Sequence, residues 1–307
     1  MNEPMPEGAH VSSPAAPVAG KRWLLYALGV VGLWGLWGAL TGISAQHGFP
    51  ETLTYCVWAV TMIVPAIYVL WKAGWKLDIA PRAIVYGLVI GLTGAGGQMV
   101  LFYAVNTGPA YLIFPVISLS PLVTILLSAL LLRERTTRLG LLGVVLALLA
   151  LPMFDFSPEK GFSFMNGGLW FPLSLIIMAC WGVQAYFMKL ANNSMSGESI
   201  FFYMMLTGLM LIPVALMMTD FSKPINFGPD GPWLAAGIQI LNAIGALFLV
   251  FAFRYGKAIV VAPLTNAGAP LVTAILSLLI ANAIPGPLKI VGLCLAVLAS
   301  ALLALAA

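Results

Sequence analysis

Apolar runs of roughly 18 or more residues recur from Trp23 to the C-terminus, each long enough to cross a hydrocarbon layer of about 30 Å as an α-helix. Spanning strands would instead need about ten residues of strict alternation, and the sequence holds none. The pattern predicts ten helical spans: 23–42, 52–71, 83–104, 109–132, 138–154, 168–189, 199–218, 233–253, 258–280 and 286–306. The expected fold is therefore an all-α integral membrane protein.

The spans repeat. PLVT occurs at Pro121 and again at Pro270, and a shift of 147 to 149 positions aligns much more: Trp34-Gly35 with Trp181-Gly182, Glu51 with Glu198, Pro65 with Pro213, Gly108 with Gly256, Pro115 with Pro263 and Gly143 with Gly292. Each half contains five spans, an odd number, so the second half must enter the membrane from the side opposite to the first. The expected organisation is a tail over 1–20, a first five-helix repeat over 21–154, a linker over 155–167 and a second, inverted five-helix repeat over 168–307. Two such units can open a shared chamber to either side by exchanging conformations, which is the logic of alternating access.

Composition agrees with the spans and charge orients them. The chain is 61% hydrophobic and 8% charged, with a mean hydropathy of +1.02, far from a soluble domain. Eleven of the fourteen Lys and Arg fall in alternate loops: Lys21, Arg22; Lys72, Lys76, Arg82; Arg133, Arg135, Arg138; Lys189; Arg254, Lys257. Those loops are expected in the cytoplasm, with both termini. The basic excess of +4 thus reports topology, and no nucleic-acid partner is expected. Residues 1–20 are rich in Pro, Ala and Ser and lack the basic start and apolar centre of a signal peptide; a disordered tail is expected. Cys56, Cys180 and Cys294 sit within apolar segments as small hydrophobes, so neither a disulfide nor a metal site is expected.

The matching segments carry a family likeness. WGLWGALTG, GPAYLIFPVISLSPLVTILLSALLLRER and GLLGVVLALLAL, answered in the second half by CWGVQAYFMKLA and YGKAIVVAPLTNAGAPLVTAILSLLI, resemble the EamA unit of the drug/metabolite transporter superfamily over nearly the whole chain after the tail. The resemblance implies a ten-helix carrier with a central cavity between two five-helix units, in the inner membrane of a bacterium, exporting small metabolites. The chain departs from the family pattern at one point: Arg133-Glu134-Arg135 closes the fourth span, but Ala281 to Pro285 stands at the equivalent place.

Candidate chemistry lies in the few polar and helix-breaking positions inside spans. Pro115, Pro121, Pro263 and Pro270 remove backbone donors in spans four and nine. The carbonyls of Tyr111, Ile117, Ile259 and Asn266 thereby lose their usual partners. Two broken helices lining a wet cavity are expected, the alternative being kinks satisfied by Ser118, Ser120 or Thr265. Gln98, Gln184, Gln239, Asn242 and Asn266 are expensive in a span and face a bundle interior, as cavity lining or as interhelical hydrogen bonds. Trp34, Trp37, Tyr103, Trp181 and Tyr186 offer rings to the same space. Glu51 and Glu198 occupy equivalent span starts, as gates on opposite sides or as helix-start residues. Gly29, Gly32, Gly35, Gly38 and Gly42 form a small-residue surface for close helix approach.

All ten acidic residues lie in the tail, loops or span ends, so the usual intramembrane proton carrier has no candidate. Amides both donate and accept, which suits neutral or zwitterionic cargo. The expected function is a secondary transporter, an exporter or exchanger of small neutral or zwitterionic metabolites, with a small-molecule solute and the lipid bilayer as partners and no cofactor. Monomer and homodimer are both compatible with the sequence. A channel or a non-transporting sensor on a carrier scaffold is the alternative. An enzyme would need a nucleophile, metal or paired-acid cluster at mid-depth, and none is present.

Overall fold

The computed structural model describes residues 22–133, 137–191, 194–255 and 258–306. The expected tail, and Glu134 and Arg135 of the charged span end, lie outside these residues. The first half comprises α1 (Arg22–Leu40), α2 (Ile43–Gln46), α3 (Glu51–Thr61), α4 (Ile63–Lys72), α5 (Pro81–Thr107), α6 (Ala110–Ile117), α7 (Ser120–Leu131) and α8 (Arg138–Asp155). A two-stranded antiparallel hairpin, β1 (Phe156–Ser157) and β2 (Gly161–Phe162), leads to α9 (Trp170–Ala191), α10 (Gly197–Met210), α11 (Ile212–Met218), α12 (Leu234–Tyr255), α13 (Ala258–Ala281) and α14 (Pro287–Ala306). Nine helical stretches of the described residues are long and apolar enough to cross a membrane, and Pro287–Leu303 is a shorter apolar one.

Helix ends follow their local chemistry. Ser196 caps α10 by accepting from the Ser199 N–H, and Thr137 caps α8 through Gly140. Pro81 opens α5 at a position whose N–H has no helical partner anyway. The short π-turn Pro229–Trp233 before α12 carries Pro232, which lacks the donor an ordinary turn would use.

Prolines interrupt the spans unevenly. The sequence predicts breaks in spans four and nine, but the structure breaks only the fourth: α6 ends at Ile117 and α7 starts at Ser120, whereas α13 runs through Pro263 and Pro270 without interruption. Spacing explains the difference. At 3.6 residues per turn, prolines seven apart share one helix face, so one gentle bend serves both, while Pro115 and Pro121, six apart, bend the chain in different directions. Spans two and seven are also divided, at Met62 and Leu211, just before the repeat-related Pro65 and Pro213.

The packing interleaves the two halves. α1 lies against α12 and α13, and its counterpart α9 lies against α5, α6 and α7. α8 pairs with α14. α10 packs on α4 and α11 on α3, so spans two and seven run antiparallel. The main core gathers Tyr55, Phe102, Ile113, Leu119, Phe154 and Ile177 from both halves, while Val64, Leu130, Met217 and Leu279 are exposed and form part of an outer apolar surface suited to lipid.

Candidate functional site

Two equivalent crossings frame the interior. The Trp34 indole N–H donates to the Asn242 carbonyl at 3.1 Å, and Trp181 donates to the Gly94 carbonyl at 3.3 Å; Gly94 and Asn242 are 148 positions apart. Thr273 Oγ1 donates to the Gly35 carbonyl at 3.0 Å, and Thr124 Oγ1 to the Gly182 carbonyl at 2.9 Å, again at repeat-related positions. The glycines are there for closeness: a Cβ on Gly97 would stand 2.7 Å from the Trp181 indole nitrogen, and one on Gly245 would collide with Trp34. The internal similarity of the sequence therefore recurs bond by bond in the contacts between halves.

The amides divide into two groups. Gln239, wholly buried, accepts from Trp37 Nε1 at 2.8 Å and donates to Thr41 at 3.5 Å. Asn242 Oδ1 accepts from Trp58 Nε1 at 3.0 Å. These two amides hold α1, α3 and α12 together, and Trp37 also packs edge-on against Phe114. Gln184 is half-buried over Gly94, and among the described residues its amide meets only the soft Met204 sulfur, at 3.9 Å. Gln98 is buried at 4% exposure, and among the described residues its Nε2 has no hydrogen-bond partner. A buried amide donor is costly to leave unpaired, which sets Gln98 apart from the committed Gln239 and Asn242.

Asn266 is exposed although its helix register is interior. Thr273 and Ser277, seven and eleven residues on and so on the same face of α13, are both buried, whereas Leu271, Ile275 and Leu279 form the outer side. Its amide is thus accessible on the face of α13 that carries buried Thr273 and Ser277. Tyr103 differs: it shares a stripe of α5 with exposed Val85 and Leu92, which places its ring on the outer face and away from the chamber proposed for it. Tyr186 is buried at 4% exposure and packs edge-on against Phe187.

The freed carbonyls meet one hydroxyl. Ser300 Oγ of α14 lies 3.1 Å from the Asn266 carbonyl, which Pro270 leaves without its helical donor, and 3.0 Å from the Ser118 carbonyl at the break of span four. A serine has one proton to give, so the two helices share a donor. Pro115 is buried inside α6, with Ser118 Oγ donating back to its carbonyl at 2.7 Å. Pro121 sits in the first turn of α7. Pro263 and Pro270 lie within α13, the Pro263 ring being outside the described side chains.

Glu51 is the first residue of α3, where Asn106 Nδ2 donates to it at 3.3 Å, and Glu198 is in the first turn of α10. They stand at opposite ends of the antiparallel pair of spans. Beside each, the loop of the other half forms a latch. At one end Asp78 Oδ2 accepts from the Ser196 N–H and Oγ, both at 2.8 Å, and the Asp78 N–H donates to Ser199 Oγ at 3.0 Å. At the other, Asn226, 148 positions after Asp78, donates its N–H to the Gly48 carbonyl at 3.0 Å and its Nδ2 to the His47 carbonyl at 2.8 Å. Asp230 there lies 3.2 Å from His47 Nδ1. Sequence reasoning fixed on the glutamates and missed Asp78, Asn226, Trp58 and Ser300; the 148-residue relation of Asp78 to Asn226 was the available signal for two of them.

The Ser196 N–H holds the Asp78 carboxyl below the ordinary carboxylate range against a smaller cost of burial, and the Asn226 amide does the same for Asp230, with His47 adding to it. A depressed folded pKa gives stability that is present above the ordinary carboxylate value and is lost only as pH falls through the lowered one. The Asp78 latch should therefore be indifferent to pH across the neutral range. Asp78→Ala should speed hydrogen exchange several-fold over 194–200 while leaving 44–50 unchanged, and Asn226→Ala should do the converse. Acceleration at both ends in either variant would show that the latches are not independent.

The EamA-like transporter family model matches residues 21–154 and 168–305, and the chain belongs to that family; it is a multi-pass membrane protein. It is 31% identical over 179 residues to the pseudopaline exporter CntI of Pseudomonas aeruginosa, in strain UCBPP-PA14 and in strain PAO1, an alignment covering 57% of this chain. The matched region spans 59% of the length of those curated relatives. A solved crystal structure, named only as that of a protein, shares 19% identity with a TM-score of 0.63 over 91% of this chain and 94% of its own, a likeness of fold alone.

Proposed function

We propose that this protein is a secondary carrier that exports or exchanges small neutral or zwitterionic metabolites across the cytoplasmic membrane, with ten spans, two repeats of opposite orientation and both termini in the cytoplasm. The observation that carries the proposal is Asn266, an accessible amide on the interior register of α13, at the point where its own backbone carbonyl and the break of span four share Ser300. Gln98, with its unspent donor, and half-buried Gln184 and Trp181 supply further polar lining. Gln239, Asn242, Trp34 and Trp37 act as the frame that positions it. The exporter relatives support outward transport, and the two latches at opposite ends of spans two and seven support alternating access, since each can close one side while the other is released. With every carboxylate outside mid-span, exchange or uniport fits better than proton coupling.

The test is counterflow of a radiolabelled amino-acid mixture in proteoliposomes. Asn266→Leu and Gln98→Leu should each reduce saturable counterflow by at least about tenfold while leaving the apparent melting temperature within a few degrees of wild type. Wild-type counterflow in both variants would remove the chamber from consideration. Flux that never saturates and shows no counterflow would mark a channel, and accumulation driven by a pH gradient alone would overturn the absence of proton coupling.

A further inference from the structure

A cavity of about 450 Å³ lies away from the amides discussed so far, bounded by the start of α6, the end of α8, the β1–β2 hairpin and the starts of α9 and α14. Asn106 at the end of α5 bonds Glu51 at the start of α3, so the cavity is at the same end of the bundle as the Asn226 latch. Charges of both signs line it: Asp155 and Glu159 on one side of the ledger, Lys160 and Lys289 on the other. Asp155 is 3% exposed and Lys289 is half-buried. Among the described residues neither lysine makes an ion pair, and a half-buried ammonium without a counter-charge keeps the capacity to take one. Trp170, Phe154 and Leu112 add apolar wall.

The walls are held in place. Trp170 Nε1 donates to Ser163 Oγ at 3.2 Å, the Ser163 N–H donates to the Asp155 carbonyl at 3.1 Å, and Asn166 Nδ2 bonds the carbonyls of Lys160 and Phe162 at 2.7 and 3.2 Å. The hairpin is thereby tied to both α8 and α9 across the cavity. A concave site with fixed walls, an apolar surface and a few convergent charges is the usual form of a small-molecule site.

We propose that this cavity is a second solute site that binds amino-acid zwitterions, the ligand's ammonium toward Asp155 and Glu159 and its carboxylate toward Lys160 and Lys289. It rests on the proposed carrier function for the class of solute and for the compartment it faces, which is the extracytoplasmic one; binding itself requires no transport. Charge-assisted hydrogen bonds to both ends of the ligand set the specificity, and the apolar wall takes an aliphatic side chain.

Tritiated L-methionine binding to the purified full-length chain tests it. Wild type should bind saturably in the millimolar range or tighter, and Asn266→Leu, which removes the chamber's share, should keep a saturable component, on which the lysine substitutions are read. Lys289→Gln and Lys160→Gln should each weaken binding by about tenfold, the effect of one lost charge-assisted contact. N-acetylmethionine and methioninamide, each lacking one charge, should compete poorly. No saturable binding up to roughly 10 mM, binding untouched by both lysine substitutions, or binding lost in Asn266→Leu alone would each overturn the site. The two proposals fail separately: lost counterflow with intact lysine-dependent binding sinks the carrier reading, and intact counterflow without that binding sinks the second site.

Discussion

Gly35→Ala and Gly182→Ala should each destabilise the protein by about 1–3 kcal/mol, the usual cost of forcing a methyl group into a packed contact, while Gly32→Ala in the same helix as Gly35 should be neutral or slightly stabilising. A Cβ on Gly35 would collide with Val272 and lie 3.4 Å from the Ala269 carbonyl; on Gly182 it would collide with Val123 and lie 2.7 Å from the Ser120 carbonyl. Both collisions reach the valine Cβ, which no rotamer change moves, and the Ser120 carbonyl likewise cannot move without its helix. Any retreat also stretches the Thr273 and Thr124 bonds to the glycine carbonyls. Nothing stands within 4 Å of a Cβ on Gly32. Thermal unfolding of the purified variants in one detergent measures the contrast. Equal melting temperatures for the Gly32 and Gly35 variants would mean that the crossings are looser than their geometry implies, and a large effect at Gly35 with none at Gly182 would refute the equivalence of the two.

Trp37→Phe should cost about 1–3 kcal/mol, because the indole N–H is the donor to the wholly buried Gln239 Oε1 and its loss leaves a desolvated acceptor with no replacement. Gln239→Leu should cost a similar amount by stranding the Trp37 N–H. The double variant removes both groups together and should be less destabilised than the sum of the two, so a double-mutant cycle reads the coupling directly. Strict additivity would show that the two side chains do not depend on one another. Trp34→Phe strands the Asn242 backbone carbonyl instead, and a carbonyl within a helix still accepts its intrahelical bond, so the smaller loss is expected there.

The span pattern, the repeat and the family likeness were legible because they follow from local composition and from order along the chain. Which amides stay available was not. Gln98, Gln184, Gln239, Asn242 and Asn266 look alike in sequence, as isolated amides in apolar runs, yet Gln239 and Asn242 are committed to Trp37 and Trp58 across about 200 and 184 residues of chain, while Gln98 is left with an unspent donor. Tyr103 fell on the outer face because the face of a helix that is hydrophobic all round cannot be assigned from its own sequence. Span nine stayed continuous because bending depends on where successive prolines point and on which neighbour, here Ser300, captures the freed carbonyl.

By itself the sequence determined that this chain is a helical membrane protein built twice over, since hydrocarbon admits only helices or closed barrels, the long apolar runs lack the alternation of barrel strands, and the repeat is written in residues at an offset of 147 to 149. Only the tertiary structure decided that each first helix packs chiefly against the other half, that Asp78 and Asn226 tie loops of the two halves together at the two ends, and which polar groups are spent. The reason is that hydrophobicity selects the solvent for each segment without selecting its neighbour: in an apolar medium helices choose partners by close packing and by individual hydrogen bonds, and those are properties of pairs of distant residues.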